Sequence, residues 1–292
     1  MTRIACFLEK YNFSYSKEAE ALYNFKQTAE RMGHEFHFLF RNGLTEIPKY
    51  DAAFIRATTD PLYTAYVVSK TAWELGLKVI DDPDSIRICA NKIHQYRLFE
   101  KFGVPHIPTV FVSREDFHHK QISEIFQLFG KPVVIKAPYT SFSKYVEKVA
   151  CETSFREVAK RFFRRSDFIV VQKFMPSRFD WRVGVLNNEV LYVCKYMMPK
   201  GTWKHGVKRR GKPSFVWGRT VSLKRDNAPQ RLKEIALKAC SVVGSGLYGV
   251  DIKEINGDYL VVEVNDNPSI YRGYEDLRDK DIYEKIIKYL AE

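Results

Sequence analysis

The sequence predicts a mixed α/β protein: a small parallel α/β unit leads into a larger α+β part. Three observations carry this expectation. Short apolar runs alternate with helical patterns over residues 1–80, and an acidic turn with a proline, Asp81-Asp82-Pro83-Asp84, interrupts them. Near the end, two apolar strands each carry a carboxylate where an apolar residue would be ordinary.

In the first unit, Ile4 to Leu8 reads as a strand. Ala21, Leu22, Phe25, Ala29 and Met32 have helical spacing, which predicts a helix from Lys17 to Met32, stopped by Gly33. Glu35 to Phe40 and Ala52 to Ile55 read as strands, Leu62 to Leu75 as a helix ended at Gly76, and Lys78 to Ile80 as a further strand. No Gly-x-Gly-x-x-Gly turn follows the first strand, so a dinucleotide site is not expected there. Asp81 to Asp84 is taken as a boundary, dividing the chain into 1–88 and 89–292.

The second unit opens with a helix from Asn91, a suitable N-cap, to Phe102, ended by Gly103, Pro105 and Pro108. A helix from Asp116 to Phe129, a strand Val133 to Ala137, a loop Pro138 to Tyr145, a strand Glu147 to Ala150, a helix Ser154 to Phe163 and a strand Phe168 to Lys173 follow. They suggest a central subdomain over about 105–175 and a C-terminal one over about 176–292. Trp181 to Leu186 and Glu189 to Met197 form a hairpin through Asn187-Asn188. Residues 200–219 are polar, glycine-bearing and basic, a long loop of the kind that serves function. A helix Ala228 to Val243, strands Tyr248 to Glu254 and Tyr259 to Asn265, and a helix Asp281 to Leu290 complete the chain.

Composition narrows the classes. The 292 residues are 45% hydrophobic and 28% charged, ordinary for a folded protein. No apolar run approaches the roughly 20 residues that cross a bilayer, and Glu9 and Lys10 interrupt the N-terminus before a signal peptide could form. A cytoplasmic protein without a membrane partner is expected. The five cysteines are scattered and odd in number, which supports neither a disulfide framework nor a zinc site. The net charge of +12 favours anionic partners without choosing among them.

The hairpin of Gly249-Val250-Asp251-Ile252 and Val262-Glu263-Val264-Asn265 is the most informative stretch. Strand alternation puts the acids on one face and the aliphatic residues on the other. A two-residue turn at Asn256-Gly257 would set Val250 opposite Glu263. A loop longer by one residue pairs Val250 with Val264, Ile252 with Val262 and Asp251 with Glu263, which keeps the apolar face whole and is preferred. Opposed carboxylates, with Asn265 on their face, call for a cation, and magnesium suits oxygen donors.

Lysines supply the complementary charge. Lys136 ends the apolar strand Pro132-Val133-Val134-Ile135 and needs an anion to offset its burial. The loop after it, with Ser141 and Ser143, offers hydroxyls and N–H groups to phosphate. Lys92 stands at a helix start, Asp180 and Arg182 share a strand face, and Lys195 is a lone cation in its strand. Cations with a magnesium cage describe a nucleoside triphosphate site.

These segments, in this order, resemble the ATP-grasp superfamily, specifically RimK-like carboxylate–amine ligases of the alpha-L-glutamate ligase type. The likeness spans about residues 81–276 and lies in Asp82-Pro83, Asn91-Lys92, Val134-Ile135-Lys136, Ser141-Phe142-Ser143, Val171-Gln172-Lys173-Phe174, Asp180-Trp181-Arg182, Cys194-Lys195-Tyr196, Gly249-Val250-Asp251 and Glu263-Val264-Asn265. It implies an ATP-grasp fold behind a Rossmann-like N-terminal domain. It further implies that Lys92, Lys136, Ser141 and Ser143 contact the ATP phosphates, that Gln172, Lys173 and Phe174 form the hinge beside adenine, and that Asp180 lies near the ribose. Arg182 and Lys195 would face the transferring phosphoryl group. Asp251, Glu263 and Asn265 would hold two magnesium ions, or manganese in their place. The chain departs from the family at Thr140 and Tyr145, where glycine is usual.

The reaction implied is attack of a carboxylate on the γ-phosphorus of ATP, then of an amine on the acyl phosphate, with glutamate or another amino acid added to an acceptor. Lys204, His205, Arg209 and Arg210 in the basic loop would meet that acceptor, an anionic small molecule or an acidic peptide. His205 could move protons, though a solvated loop histidine is the plainer reading, and Cys194 reads as core. Assembly with further copies of the chain remains open. Two alternatives stand beside this one: an ATP-grasp kinase of a phosphorylated small molecule such as an inositol phosphate, and a basic RNA-binding protein, which leaves the acidic hairpin unexplained.

Overall fold

The computed structural model describes residues 1–139, 144–208 and 215–292. It begins with β1 (Arg3–Phe7), α1 (Ser16–Arg31), β2 (Glu35–Leu39), β3 (Ala52–Ile55), α2 (Thr64–Glu74) and β4 (Lys78–Ile80). The four strands form a parallel sheet ordered β2-β1-β3-β4, as alternating strands and helices require.

Two helices follow, α3 (Pro83–Ala90) and α4 (Lys92–Phe102). The expected boundary at Asp81 to Asp84 is in fact the start of α3. The Asp82 side chain caps the helix by accepting from the N–H groups of Asp84 and Ser85, and Pro83 occupies the first turn, where its missing N–H costs nothing. Asn91 caps α4 in the same way through Ile93 and His94, which places Lys92 in the first helical position.

The next layer is β5 (Thr109–Ser113), α5 (His119–Phe129), β6 (Val133–Lys136), β7 (Val146–Val149), α6 (Glu152–Phe162) and β8 (Phe168–Lys173). The strands form an antiparallel sheet, β5-β8-β6-β7, and α5 and α6 bury Ile122, Phe126, Phe155 and Phe162 in one core with Ile135, Val149 and Val171. Strand β5 was not expected from the sequence.

The last layer contains β9 (Phe179–Leu186), β10 (Glu189–Met197), β11 (Gly206–Lys208), β12 (Phe215–Trp217), β13 (Thr220–Leu223), α7 (Gln230–Ser241), β14 (Leu247–Ile255), β15 (Asp258–Asp266) and α8 (Ile282–Ala291). Five strands pair in the order β13-β10-β9-β14-β15. The segment expected to be one long loop, 200–219, instead carries the small β11–β12 ladder. Helix α8 returns to the beginning of the chain, where Ile282, Ile286 and Leu290 share a core with Ile4, Phe25 and Phe54.

The β14–β15 register reconciles the two alternatives. Ile255 pairs with Asp258 across a two-residue turn whose residues Asn256 and Gly257 both have positive φ, 53° and 88°. An irregularity between Asp251 and Ile252 then shifts the pairing, so that Asp251 opposes Glu263 and Val250 opposes Val264. Ile252 pairs with Val261, not Val262; Val262 is the extra residue of a bulge. The turn takes its favoured form and the acids still meet.

Candidate active site

A cavity of about 360 Å³ lies between the β5-β8-β6-β7 sheet and the five-stranded sheet. Its lining contains six lysines (Lys92, Lys136, Lys148, Lys173, Lys204 and Lys253) and three acids (Asp180, Asp251 and Glu263). That excess of positive charge suits a polyanion.

The acidic floor follows from strand register. Arg182 on β9, Asp251 on β14 and Glu263 on β15 stand in one row across the sheet, hence on one face. Arg182 grips Asp251 with two parallel bonds, Nε to Oδ1 at 2.6 Å and Nη2 to Oδ2 at 2.9 Å. Asn265 Nδ2 lies 3.3 Å from the Gly249 carbonyl and 3.4 Å from Asp251 Oδ2. Burial and the neighbouring Glu263 push the Asp251 carboxyl above its ordinary range against the pull of Arg182. Burial alone would raise Glu263 too, but Lys92, Lys136 and Arg182 outweigh it and hold Glu263 low.

The cationic wall faces this floor. Lys92 Nζ lies 3.8 Å from Glu263 Oε2. Lys136, 7% exposed at the end of β6, is pushed down to about 8 by burial, with Lys92 and Lys253 adding to the effect and Glu263 opposing it. Such a lysine is poised to gain from an incoming anion. Ser141, Ser143, Arg209 and Arg210 lie outside the described residues.

Gln172, Lys173 and Phe174 also line the cavity. The Gln172 side chain turns into its own sheet and donates to Thr109 Oγ1 at 2.8 Å, while the Lys173 N–H donates to the Pro108 carbonyl at 3.0 Å. Phe174 meets Trp203 edge-on at 5.8 Å, and Lys148 Nζ sits 4.5 Å from the Phe174 ring centroid.

Asp180 lines the cavity and is 4% exposed. Its Oδ1 accepts from Ser177 at 2.9 Å and from Lys253 at 2.6 Å, and its Oδ2 lies 2.9 Å from His205 Nε2. Burial would raise this carboxyl, but His205 and Lys253 prevail and bring it down to about 2. His205 is therefore not a solvated loop residue; Asp180 anchors it. Lys204 is anchored as well, donating to the Val146 carbonyl at 2.6 Å, so 201–205 is tied to both walls of the cavity.

One expected site residue does not join. Lys195 pairs with Trp181 and thus stands on the opposite face of the sheet from Arg182. Its Nζ lies 4.3 Å from the Phe179 ring and 4.5 Å from that of Trp181. Cys194 is buried, as read from the sequence. Lys148, Ser177 and Lys253 were not singled out from the sequence. Only Lys253 carried a signal, since alternation from Asp251 puts it on the same face.

The geometry agrees with comparisons to known proteins. The RimK-like ATP-grasp domain model matches residues 89–290. The chain is 23% identical over 254 residues to the glutamate–LysW ligase ArgX of Sulfolobus acidocaldarius, covering 83% of this chain and 82% of that one. It is 24% identical over 247 residues to a probable alpha-L-glutamate ligase of Vibrio atlanticus, covering 84% and 77%. In fold it is similar to the D-alanine–D-alanine ligase of Bacillus anthracis complexed with ATP, with a TM-score of 0.71 at 15% identity, covering 99% of this chain and 96% of that one. The match over 89–290, together with the acidic floor and lysine wall, means that the chain belongs to the RimK-like ATP-grasp family of carboxylate–amine ligases.

Proposed function

We propose that the chain activates a carboxylate with magnesium and ATP as an acyl phosphate, and joins it to an amine. The observation that carries this reading is that Lys92, Lys136, Asp251 and Glu263 line one cavity with Phe174 and Trp203, while Arg182 and Asn265 stand behind Asp251 and bond to it. In this reading the lysines and acids receive the triphosphate and the Phe174–Trp203 wall receives the purine.

The donor set fits magnesium. Two carboxylates and an amide oxygen on one sheet face are the hard oxygens it takes. Among the described residues no three His, Cys, Asp or Glu side chains form a group that could hold a metal ion by themselves, so phosphate oxygens and water would complete the shell. Bound there, the metal would offset charge on the transferring phosphoryl group.

The chain's own residues do the rest. Lys92 and Lys136 hold phosphate oxygens. Arg182 fixes the Asp251 carboxylate in one orientation. Asp180, itself held by Lys253, anchors His205 and with it 201–205 against the cavity. A carboxylate oxygen attacks the γ-phosphorus and ADP leaves; the amine attacks the acyl carbon, phosphate leaves with the former carboxylate oxygen, and the nitrogen loses a proton.

Relatives named for glutamate make an acidic amino acid the first substrate to try. An anionic small molecule or acidic peptide is the acceptor that the basic stretch around Lys204 suits. The test is to incubate Mg-ATP with amino acids, acidic peptides and inositol phosphates, and to weigh the products. ADP, free phosphate and an amide support the ligase; phosphate retained on the acceptor overturns it in favour of a kinase.

A further inference from the structure

Tyr196 stands between two parts of the site that the reaction needs together. Strand pairing sets it opposite Asp180 and sets Cys194 opposite Arg182, so Tyr196 shares the sheet face of Asp180 and Arg182. The Arg182 guanidinium carbon lies 5.0 Å from the centroid of the Tyr196 ring. The His205 ring meets the same tyrosine edge-on, with centroids 5.8 Å apart and planes at 77°. His205 and Asp251 line the cavity, and Tyr196 does not. It therefore acts on the cavity through its neighbours.

The ring is held from behind. Its hydroxyl donates to Glu275 Oε1 at 2.6 Å, and Glu275 Oε2 accepts from the Tyr271 N–H at 2.8 Å. Glu275 is 2% exposed. Burial raises its carboxyl, with Tyr196, the Tyr271 N–H and the Arg182 charge pulling the other way. A phenylalanine would fill the space of the Tyr196 ring without a buried acid behind it, and burying an acid is costly. The tyrosine and its acid do more than fill space: with the hydroxyl tied, the ring presents one constant face to the Arg182 cation.

Two chains of contacts meet at this ring. One runs from Tyr196 through Arg182 to Asp251, on the acidic floor. The other runs from Tyr196 through His205 and Asp180 to Lys253, and anchors 201–205. Strand β10 ends one residue after Tyr196, so the same strand that carries the ring leads into the anchored segment.

We propose that Tyr196, fixed by Glu275, is a positioning residue that keeps the acidic floor and the 201–205 segment in one geometry. It orients Arg182, and through Arg182 the Asp251 carboxylate, while the same ring backs His205. This role rests on the Mg-ATP ligase reading, to which it adds how the floor and the segment are set together.

Two readouts other than turnover test it. ADP affinity of the full chain is measured by calorimetry with and without magnesium, and tryptic cleavage after Lys200 and Lys204 is timed by mass spectrometry. The variants are Tyr196→Leu, which removes the ring, Tyr196→Phe, which keeps the ring but not its tether, Glu275→Gln, and the last two combined. Tyr196→Leu should reduce the gain in ADP affinity that magnesium brings by about tenfold, the scale of a lost buried cation–π contact, and leave the magnesium-free affinity unchanged. Cleavage should quicken in the same variant. Tyr196→Phe should do both to a smaller extent, and it carries the test if Tyr196→Leu does not fold. Glu275→Gln should add nothing to Tyr196→Phe, since both act on one hydrogen bond. Affinity lost equally with and without magnesium, a magnesium gain that is unchanged, larger or absent in the parent, cleavage no faster, or additive losses in the combined variant would overturn the role. A parent that forms no amide would remove the ligase reading and leave both readouts to judge Tyr196. A parent that forms one, beside variants that fail these readouts, would remove Tyr196 and leave the ligase reading.

Discussion

Arg182 holds Asp251 through two parallel hydrogen bonds, of 2.6 and 2.9 Å, across neighbouring strands β9 and β14. The pair puts a fixed guanidinium beside a carboxylate that would otherwise be free to turn. It also joins the hairpin read first in the sequence to the strand read second.

Breaking that pair from one side leaves a buried charge. Arg182→Met should therefore cost about 3–5 kcal/mol of stability, and the double variant with Asp251→Asn should recover part of the loss. Urea unfolding of the four proteins checks this. Additive losses would mean that the two side chains are not coupled.

The lysine wall sets a pH dependence. Lys136 is brought down to about 8, mainly by burial, with Lys92, Lys253, Glu263 and Asp180 as its charged neighbours. The cation is present below that pH and lost above it. ATP affinity should then fall by up to about tenfold per pH unit above about 8, and Lys136→Met should flatten the profile. The sign for stability is opposite. A lysine depressed in the fold favours the neutral form, so the ligand-free chain should gain stability from about pH 8 upward to the unfolded value of 10.5. An ATP affinity that is level through pH 9 would count against this role.

Lys195 offers a control. It lies on the far face of the sheet, over Phe179 and Trp181. Lys195→Met should leave the KM for ATP and kcat unchanged in steady-state assays. A large fall in kcat would restore it to the site.

The carboxylates carry the metal argument. Asp251→Asn and Glu263→Gln should each lower ATP turnover by at least about a hundredfold, the scale on which a lost electrostatic partner of a transition state acts. Circular dichroism should remain that of the parent. Chelation should stop turnover, and added magnesium should restore it. Normal turnover in both variants would remove the cage.

Much of the fold and part of the site were legible in the sequence, for reasons specific to each element. The β14–β15 register could be read because one face is wholly apolar and a slip would expose it. Lys92 was placed by its capping residue, Asn91. Strand β10 gave no such help: it is apolar on both faces, so alternation could not say whether Lys195 or Cys194 faces Arg182. Helix α3 was hidden because Asp82-Pro83 is equally a turn and a helix start. The β11–β12 ladder is only three residues long on each side, too short for a period to register. Arg56 and His205 look like surface charges in sequence; the segments that hold them lie more than two hundred and about twenty-five residues away, respectively.

The central claim is that a carboxylate oxygen becomes a phosphate oxygen. Its most direct test is turnover of Mg-ATP with the amino acid that supports ADP release, labelled with oxygen-18 in its carboxylates, followed by mass analysis of the phosphate. An acyl-phosphate ligase leaves one labelled oxygen in each phosphate released. Unlabelled phosphate, or phosphate that stays on the acceptor, would contradict the account.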